Sequence, residues 1–146
     1  GLGYGKNQTQ YGAYNRLKNN KEPQFVCPQN NDLYTTLTAT KGNKSLTYPI
    51  GLITADEVAY AGGVNVSNNN YYLLNGSMFW TMSPYDFSSS AYVSIVYDDG
   101  LRHRGTLIAD NAQISSSIRP VISIKANTQI TSGDGISSNP YVIKTN

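Results

Sequence analysis

The sequence predicts an α+β domain dominated by antiparallel sheet. Two observations carry that prediction. A single well-signalled helix follows Thr54, and after residue 78 the chain breaks into short alternating apolar runs separated by turn residues. No internal repeat competes with this reading. One or two short helices are expected, and 146 residues suit one domain, 1–146, with a sizeable core of its own.

Taken in order, residues 1–30 read as irregular. Residues 1–9 are Gly-rich and polar and read as frayed or looped. Residues 11–20 (YGAYNRLKNN) fit a short helix with Tyr14, Leu17 and Lys18 on one side. Pro23 and Pro28 then break the chain, and Phe25-Val26-Cys27 between them reads as extended. The clear helix begins at Thr54. In Thr54-Ala55-Asp56-Glu57 the hydroxyl can accept from the Glu57 amide while the Glu57 carboxylate reaches back, a capping box. Ala55, Val58, Ala59 and Gly62 share one stripe, and Gly62-Gly63 supplies the stop. Asp56 and Glu57 both favour the helix N-terminus electrostatically.

Residues 78–82 (MFWTM) read as a strand with Met78, Trp80 and Met82 on one face, Trp80 being a core candidate, and Phe79 and Thr81 on the other. Residues 92–98 alternate, with Val93, Ile95 and Tyr97 opposite Tyr92, Ser94 and Val96. Asp99-Gly100 is a strong hairpin signal, so residues 101–109 are expected to return as a strand. Residues 119–125 form the next strand, with Ile122 and Ile124 facing the core and Pro120 marking a strand start or edge. Turn chemistry fills residues 132–140, and residues 141–143 close the chain as a last strand.

Composition excludes several classes. Only 14% of residues are charged, against roughly 25% in an average soluble domain, and the net charge is +2. That argues against a charge-driven grip on nucleic acid and against a charged disordered tail. No run approaches the ~20 apolar residues of a membrane helix, so no membrane contact is expected of this segment. Sixteen asparagines and twelve tyrosines replace the missing charge. A surface made soluble by amides and hydroxyls suits a secreted or cell-surface domain. The single cysteine, Cys27, allows no internal disulfide. Cys27 and the single histidine, His103, do not make a zinc site, and no cofactor or metal is expected. The two are formally available as a nucleophile and base. The simpler expectation is a small buried apolar side chain and an exposed strand residue. No signal peptide is visible, and the chain reads as a fragment of a longer surface protein.

Several segments stand in a recognisable order. They are Gly51-Leu52-Ile53-Thr54 with its helix, Phe79-Trp80-Thr81-Met82-Ser83-Pro84, the alternating strand with Asp99-Gly100, and Ile118-Arg119-Pro120-Val121-Ile122. This order resembles surface-protein domains of Gram-positive, gut-type bacteria, which are similar to the formylglycine-generating-enzyme-like branch of the C-type lectin fold. The resemblance covers residues 48–144. Ser117-Ile118-Arg119 stands where the pattern has Gly-x-Arg, and residues 121–143 resemble the tail of secreted or pilin-like chains. The resemblance implies an extracellular, C-type-lectin-like display scaffold on a Gram-positive bacterium or its phage. It does not imply the enzymatic activity, which uses more than one thiol.

The candidate recognition surface comprises Tyr85, Asp86, Phe87, Tyr92, Tyr97, Asp98, Arg102, His103 and Arg104, with Ser88-Ser89-Ser90 as a polar loop. Tyr with Ser and Asn gives adaptable contact area, and Arg adds planar donors that stack on aromatics. The lectin resemblance places ligand-facing positions in the same stretch. Tyr92 and Tyr97 fit equally as packed sheet residues. A second candidate, for sugars, is Asn68-Asn69-Asn70-Tyr71-Tyr72 with Trp80, the alternative being a loop beside a core tryptophan. Asp98, Asp99 and Asp110 are available to calcium but lack calcium-loop spacing. Asp56-Glu57 and Asp98-Asp99 are explained by capping and turn, and no nucleophile elbow or H-E-x-x-H is present, so an enzyme is not expected. The expected function is non-covalent recognition of a surface glycan or protein. The alternative is the head of a pilin-like appendage subunit that contacts copies of itself.

Overall fold

The computed structural model describes residues 9–25, 50–122, 124, 127–136 and 138–144. The elements run β1 (Thr9–Gln10), α1 (Gly12–Tyr14) continuing as a π-helical segment (Asn15–Asn20), β2 (Ile50–Leu52), α2 (Ala55–Tyr60) and β3 (Val64–Asn65). Then follow β4 (Phe79–Phe87), β5 (Ala91–Tyr97), β6 (Thr106–Asn111), β7 (Pro120–Ile122), β8 (Ile130–Ser132) and β9 (Val142–Ile143). This is an α+β fold, mostly antiparallel, with two short helical regions.

The main sheet has the order β1-β4-β5-β6-β3. All its pairings are antiparallel except β3 with β6. Two small sheets stand beside it, β2 with β7 and β8 with β9. The capping box at Thr54 forms in full, and α2 ends at the Gly62-Gly63 stop. A Cβ on Gly63 would stand 2.5 Å from Val58 Cγ1, which leaves no room for a larger residue. Ser83 Oγ on β4 accepts from the Ala55 amide at 3.0 Å and pins the start of α2 to the sheet.

Helix α2 and the N-terminal helix cover one face of the sheet. Val58, Ala55, Ala13 and Leu17 pack there on Phe79, Val96 and Leu107. The strand faces therefore follow the alternation of the sequence, but the core lies on the Phe79 side. Trp80 is only half-buried, on the opposite face, where its cross-strand neighbour is Ile95. The expectation that Trp80 is core is corrected accordingly: the helices dock on the other side. Ile95 is itself fully buried, so the central strand is covered on both faces. Strand β4 runs past the expected 78–82 because the pairing with β5 shifts register around Pro84. A bulge is where a strand tolerates a proline.

The N-terminal helix also differs from expectation. Its buried residues are Gly12, Ala13, Arg16 and Leu17, while Tyr14 and Lys18 lie outside them beside Tyr85. Arg16 is buried because Asp56 meets it: Nε and Nη2 donate to the two carboxylate oxygens at 2.8 Å each. Asp56 thus does more than favour the α2 dipole; it also accepts from the Gln24 amide.

Beyond residue 117 the expectations part from the structure most. β7 begins at Pro120 as expected, but it pairs with β2 outside the main sheet. Ile122 and Ile124 are 65% and 55% exposed, not core. Among the described residues β9 pairs with β8, and Tyr141, Val142 and Ile143 are exposed. Cys27 and the extended reading of residues 26 and 27 lie outside the described residues, as do Ser123 and Lys125.

Candidate functional site

The return of the chain after β5 is a loop, not a two-residue hairpin. β6 starts at Thr106, so residues 101–105, expected as strand, belong to the turn. The cause is the Asp99 side chain. Its Oδ1 accepts from the amides of Leu101, Arg102 and His103, each at 2.9 Å, while its own amide donates to the His103 carbonyl at 3.0 Å. Asp at the head of a turn competes in this way with ladder pairing. These amide donors, with the His103 ring, hold the Asp99 carboxyl well below the usual carboxylate range. His103 Nδ1 lies 3.2 Å from Asp99 Oδ2, and its ring meets Tyr97 edge-on with centroids 4.8 Å apart.

The asparagine run holds the other side of the same loop. Asn68 Nδ2 donates to the Arg102 carbonyl at 2.6 Å, and its Oδ1 accepts from Thr106 Oγ1 at 2.6 Å and from the Arg104 amide at 3.3 Å. The Asn69 amide donates to the Arg104 carbonyl at 2.9 Å. Tyr71 Oη donates to the Gly105 carbonyl at 3.1 Å. Gly105 has φ +70°, and an added Cβ would sit 2.4 Å from the Asn69 carbonyl oxygen. Only glycine allows the two loops to approach this closely. Asn68 and Asn69, considered above for sugars, are thus structural fasteners, and Tyr71 is a third. Tyr72 remains 82% exposed.

Of the expected recognition residues, Arg102, His103 and Arg104 are exposed and stand together on this loop, next to Leu101, which is 90% exposed. Tyr97 is half-buried beneath His103. Asp98 is buried, against expectation; its Oδ2 accepts from the Gly76 amide at 2.7 Å and closes the loop before β4. Tyr85 is also buried, edge-on to Tyr14 with centroids 4.7 Å apart. Asp86, Phe87 and Tyr92 are half-buried at the far end of the β4–β5 hairpin, where Asp86 pairs with Tyr92 and Phe87 with Ala91. Burial raises the Asp86 pKa, and nearby Lys18 opposes that shift. Five residue steps of extended chain, about 17 Å at ~3.4 Å per residue, separate Tyr92 from Tyr97. The expected single surface is therefore two ends of one hairpin.

Asp98, Asp99 and Asp110 do not converge. Asp110 pairs with Val93 on the sheet and accepts from the Asn111 amide. Among the described residues no group of three or more His, Cys, Asp or Glu side chains is placed to hold a metal ion, and no helix is long and apolar enough to cross a membrane. Arg119, which the sequence pattern left without a role, lies with its guanidinium 3.9 Å from the Phe79 ring centroid and donates to the Leu73 carbonyl. It joins the 117–120 segment to the sheet and to the loop before β4. Comparison of the chain with family models, with curated proteins and with solved structures gives no match.

Proposed function

We propose that the chain is an extracellular, lectin-like recognition domain that binds a glycan or a protein non-covalently through the 99–104 loop. The observation that supports this is the division of labour within the loop. Its backbone is fixed by Asp99, Asn68 and Asn69, while Arg102 and Arg104 are exposed and the His103 ring is exposed on one side and held by Asp99 and Tyr97 on the other. Binding then orders little further backbone, and a preordered loop loses less entropy on association. Arginine forks donate in pairs to carboxylate, sulfate or paired hydroxyl oxygens. The Asp99 carboxylate is spent on shaping the backbone, which fits binding rather than proton transfer. The site is proposed for one end of the sheet only, without Tyr85, Asp86, Phe87, Tyr92 or Asp98.

A glycan array probed with the folded domain tests this. Bound glycans should lose about ten- to a hundredfold in affinity in Arg102→Ala, the range for hydrogen bonds to a charged group. Unchanged binding in Arg102→Ala and Arg104→Ala would remove the loop from the recognition surface.

The second reading, an appendage head that contacts its own copies, is favoured by the exposed Ile118, Ile122, Ile130, Tyr141 and Val142. Sedimentation across a concentration series separates the two. A recognition module stays monomeric, and an appendage subunit self-associates through those residues.

A further inference from the structure

A concavity lies on the helix-covered side of the sheet, bounded on one side by Ser67 and Leu107, which flank the elements that hold the 99–104 loop. It has a volume of about 310 Å³ and sits between the N-terminal helical segment and β3. Leu17 and Leu107 form its apolar floor, Asn65 and Ser67 supply polar groups, and Lys18 and Lys21 stand at its wall. No carboxylate is among the described residues that line it.

The backbone around this pocket is unusual on both sides. The helix that carries Lys18 is π-helical over Asn15–Asn20, a form concentrated at functional sites. It ends at Lys21 in the left-handed conformation, φ 59° and ψ 37°. Across the pocket, Val66 stands between Asn65 and Ser67 with φ 58°. Among the described residues, Lys21 and Val66 are the non-glycine positions with positive φ. For a β-branched residue this is a true outlier, and such strain persists only where the surroundings impose it. The Val66 amide is held by the Leu107 carbonyl at 3.1 Å, and Lys21 by the Arg16 carbonyl. Both strained residues thus lie in the pocket wall or between two lining residues.

We propose that this pocket binds a small molecule bearing one anionic group on an apolar body. At ~30 Å³ per water-sized volume, the space holds roughly ten non-hydrogen atoms. The apolar body would lie on Leu17 and Leu107, and the anion would meet the Lys21 ammonium, with the Lys18 ammonium held against Tyr14 and adding positive charge at the wall. Lys18 has its Nζ 4.7 Å from the Tyr14 ring centroid. Its hydrogen bond to Tyr14 and the neighbouring Tyr85 push its pKa up, so it stays charged. Lys18 also faces Asp86, which leaves Lys21 as the stronger partner for an incoming anion. Carboxylate and phosphate headgroups share this chemistry.

Titration calorimetry with octanoate, octyl phosphate, 1-octanol and acetate, with amide shifts mapped by NMR, tests the proposal. Octanoate or octyl phosphate should bind and shift the Ser67 and Leu107 amides, and whichever binds more tightly identifies the headgroup. Both 1-octanol and acetate should bind at least about fivefold more weakly. Lys21→Asn keeps a residue that tolerates left-handed backbone and should weaken the anion by up to about fivefold. Lys18→Gln with Lys21→Asn should abolish the preference for octanoate over 1-octanol, with circular dichroism confirming the fold. Failure of both anions to bind at millimolar concentration overturns the proposal, as does equal binding by the double variant or shifts confined to other residues. The lysine variants separate this pocket from the 99–104 loop, since Lys18 and Lys21 lie outside that loop, whereas loss of glycan binding in Arg102→Ala reports on the loop alone.

Discussion

In the main sheet Ile95 and Val96 are fully buried, whereas Ile130 on β8 is 56% exposed and Val142 on β9 is exposed as well. Both regions are made of short alternating strands bounded by turn residues. The difference lies in what docks on them. β5 has neighbours on both edges and covering groups on both faces, with α2 and the N-terminal helix on one of them. Among the described residues β8 is paired with β9, and a two-stranded ribbon cannot cover its own faces. Alternation specifies a strand and its two faces; burial of either face is decided by distant elements.

The largest effect that sharpens this comparison is expected at the Arg16–Asp56 pair, where the helical elements are joined. Asp56→Asn removes the carboxylate charge that meets the buried Arg16 guanidinium through two oxygens and should cost about 3 kcal/mol in urea unfolding. Phe79→Ala opens a cavity beneath Arg119 and should cost about 3–5 kcal/mol. The matching truncation in the β8–β9 ribbon, Ile130→Ala, should cost less than ~0.5 kcal/mol. Equal losses at Phe79 and Ile130 would show that the β8–β9 ribbon is packed after all.

Gly105→Ala comes next. It demands positive φ from a residue whose Cβ would meet the Asn69 backbone, and a loss of about 1–3 kcal/mol is expected in the same assay. Smaller, and selective for the loop region, is a dependence on alkaline pH. Burial pushes the Tyr71 hydroxyl up to about 12, with Asp98 reinforcing and Arg119 opposing. An unfolded tyrosine ionises near ~10, so the folded state holds this proton more tightly. Its contribution is fully present below about pH 10 and is lost as pH rises through about 12. Tyr71→Phe should flatten that part of the urea midpoint profile.

What could be read from the sequence was local. The Thr54 capping box, the stop at Gly62-Gly63, the strand character after residue 78 and the opposed faces of β5 all follow from spacings of a few residues. The Arg16–Asp56 pair spans 40 positions, and nothing near Asp56 announces its partner. The side of β4 that becomes core depends on where α2 docks, so Phe79 could not be preferred over Trp80 from alternation alone. In the candidate site the exposure of Arg102, His103 and Arg104 was legible. Burial of Asp98 and Tyr85 was not, because it is imposed by Gly76 and Tyr14 from elsewhere in the chain. The Asp99-Gly100 signal correctly marked a turn, but three amides bonded to one carboxylate lengthened it into a loop. An Asp heading a turn, followed by several residues before the next apolar run, is the local sign of that outcome.

The functional reading depends on the 99–104 loop being rigid while the Arg102 and Arg104 side chains face solvent. Amide hydrogen exchange at Leu101, Arg102 and His103 measures this directly. These amides should exchange more than about tenfold slower than in an unstructured peptide, and Asp99→Ala should remove the protection while the β4–β6 amides keep theirs. Exchange at unstructured rates in the wild-type chain would contradict the account, because the loop would then have to be ordered by its ligand.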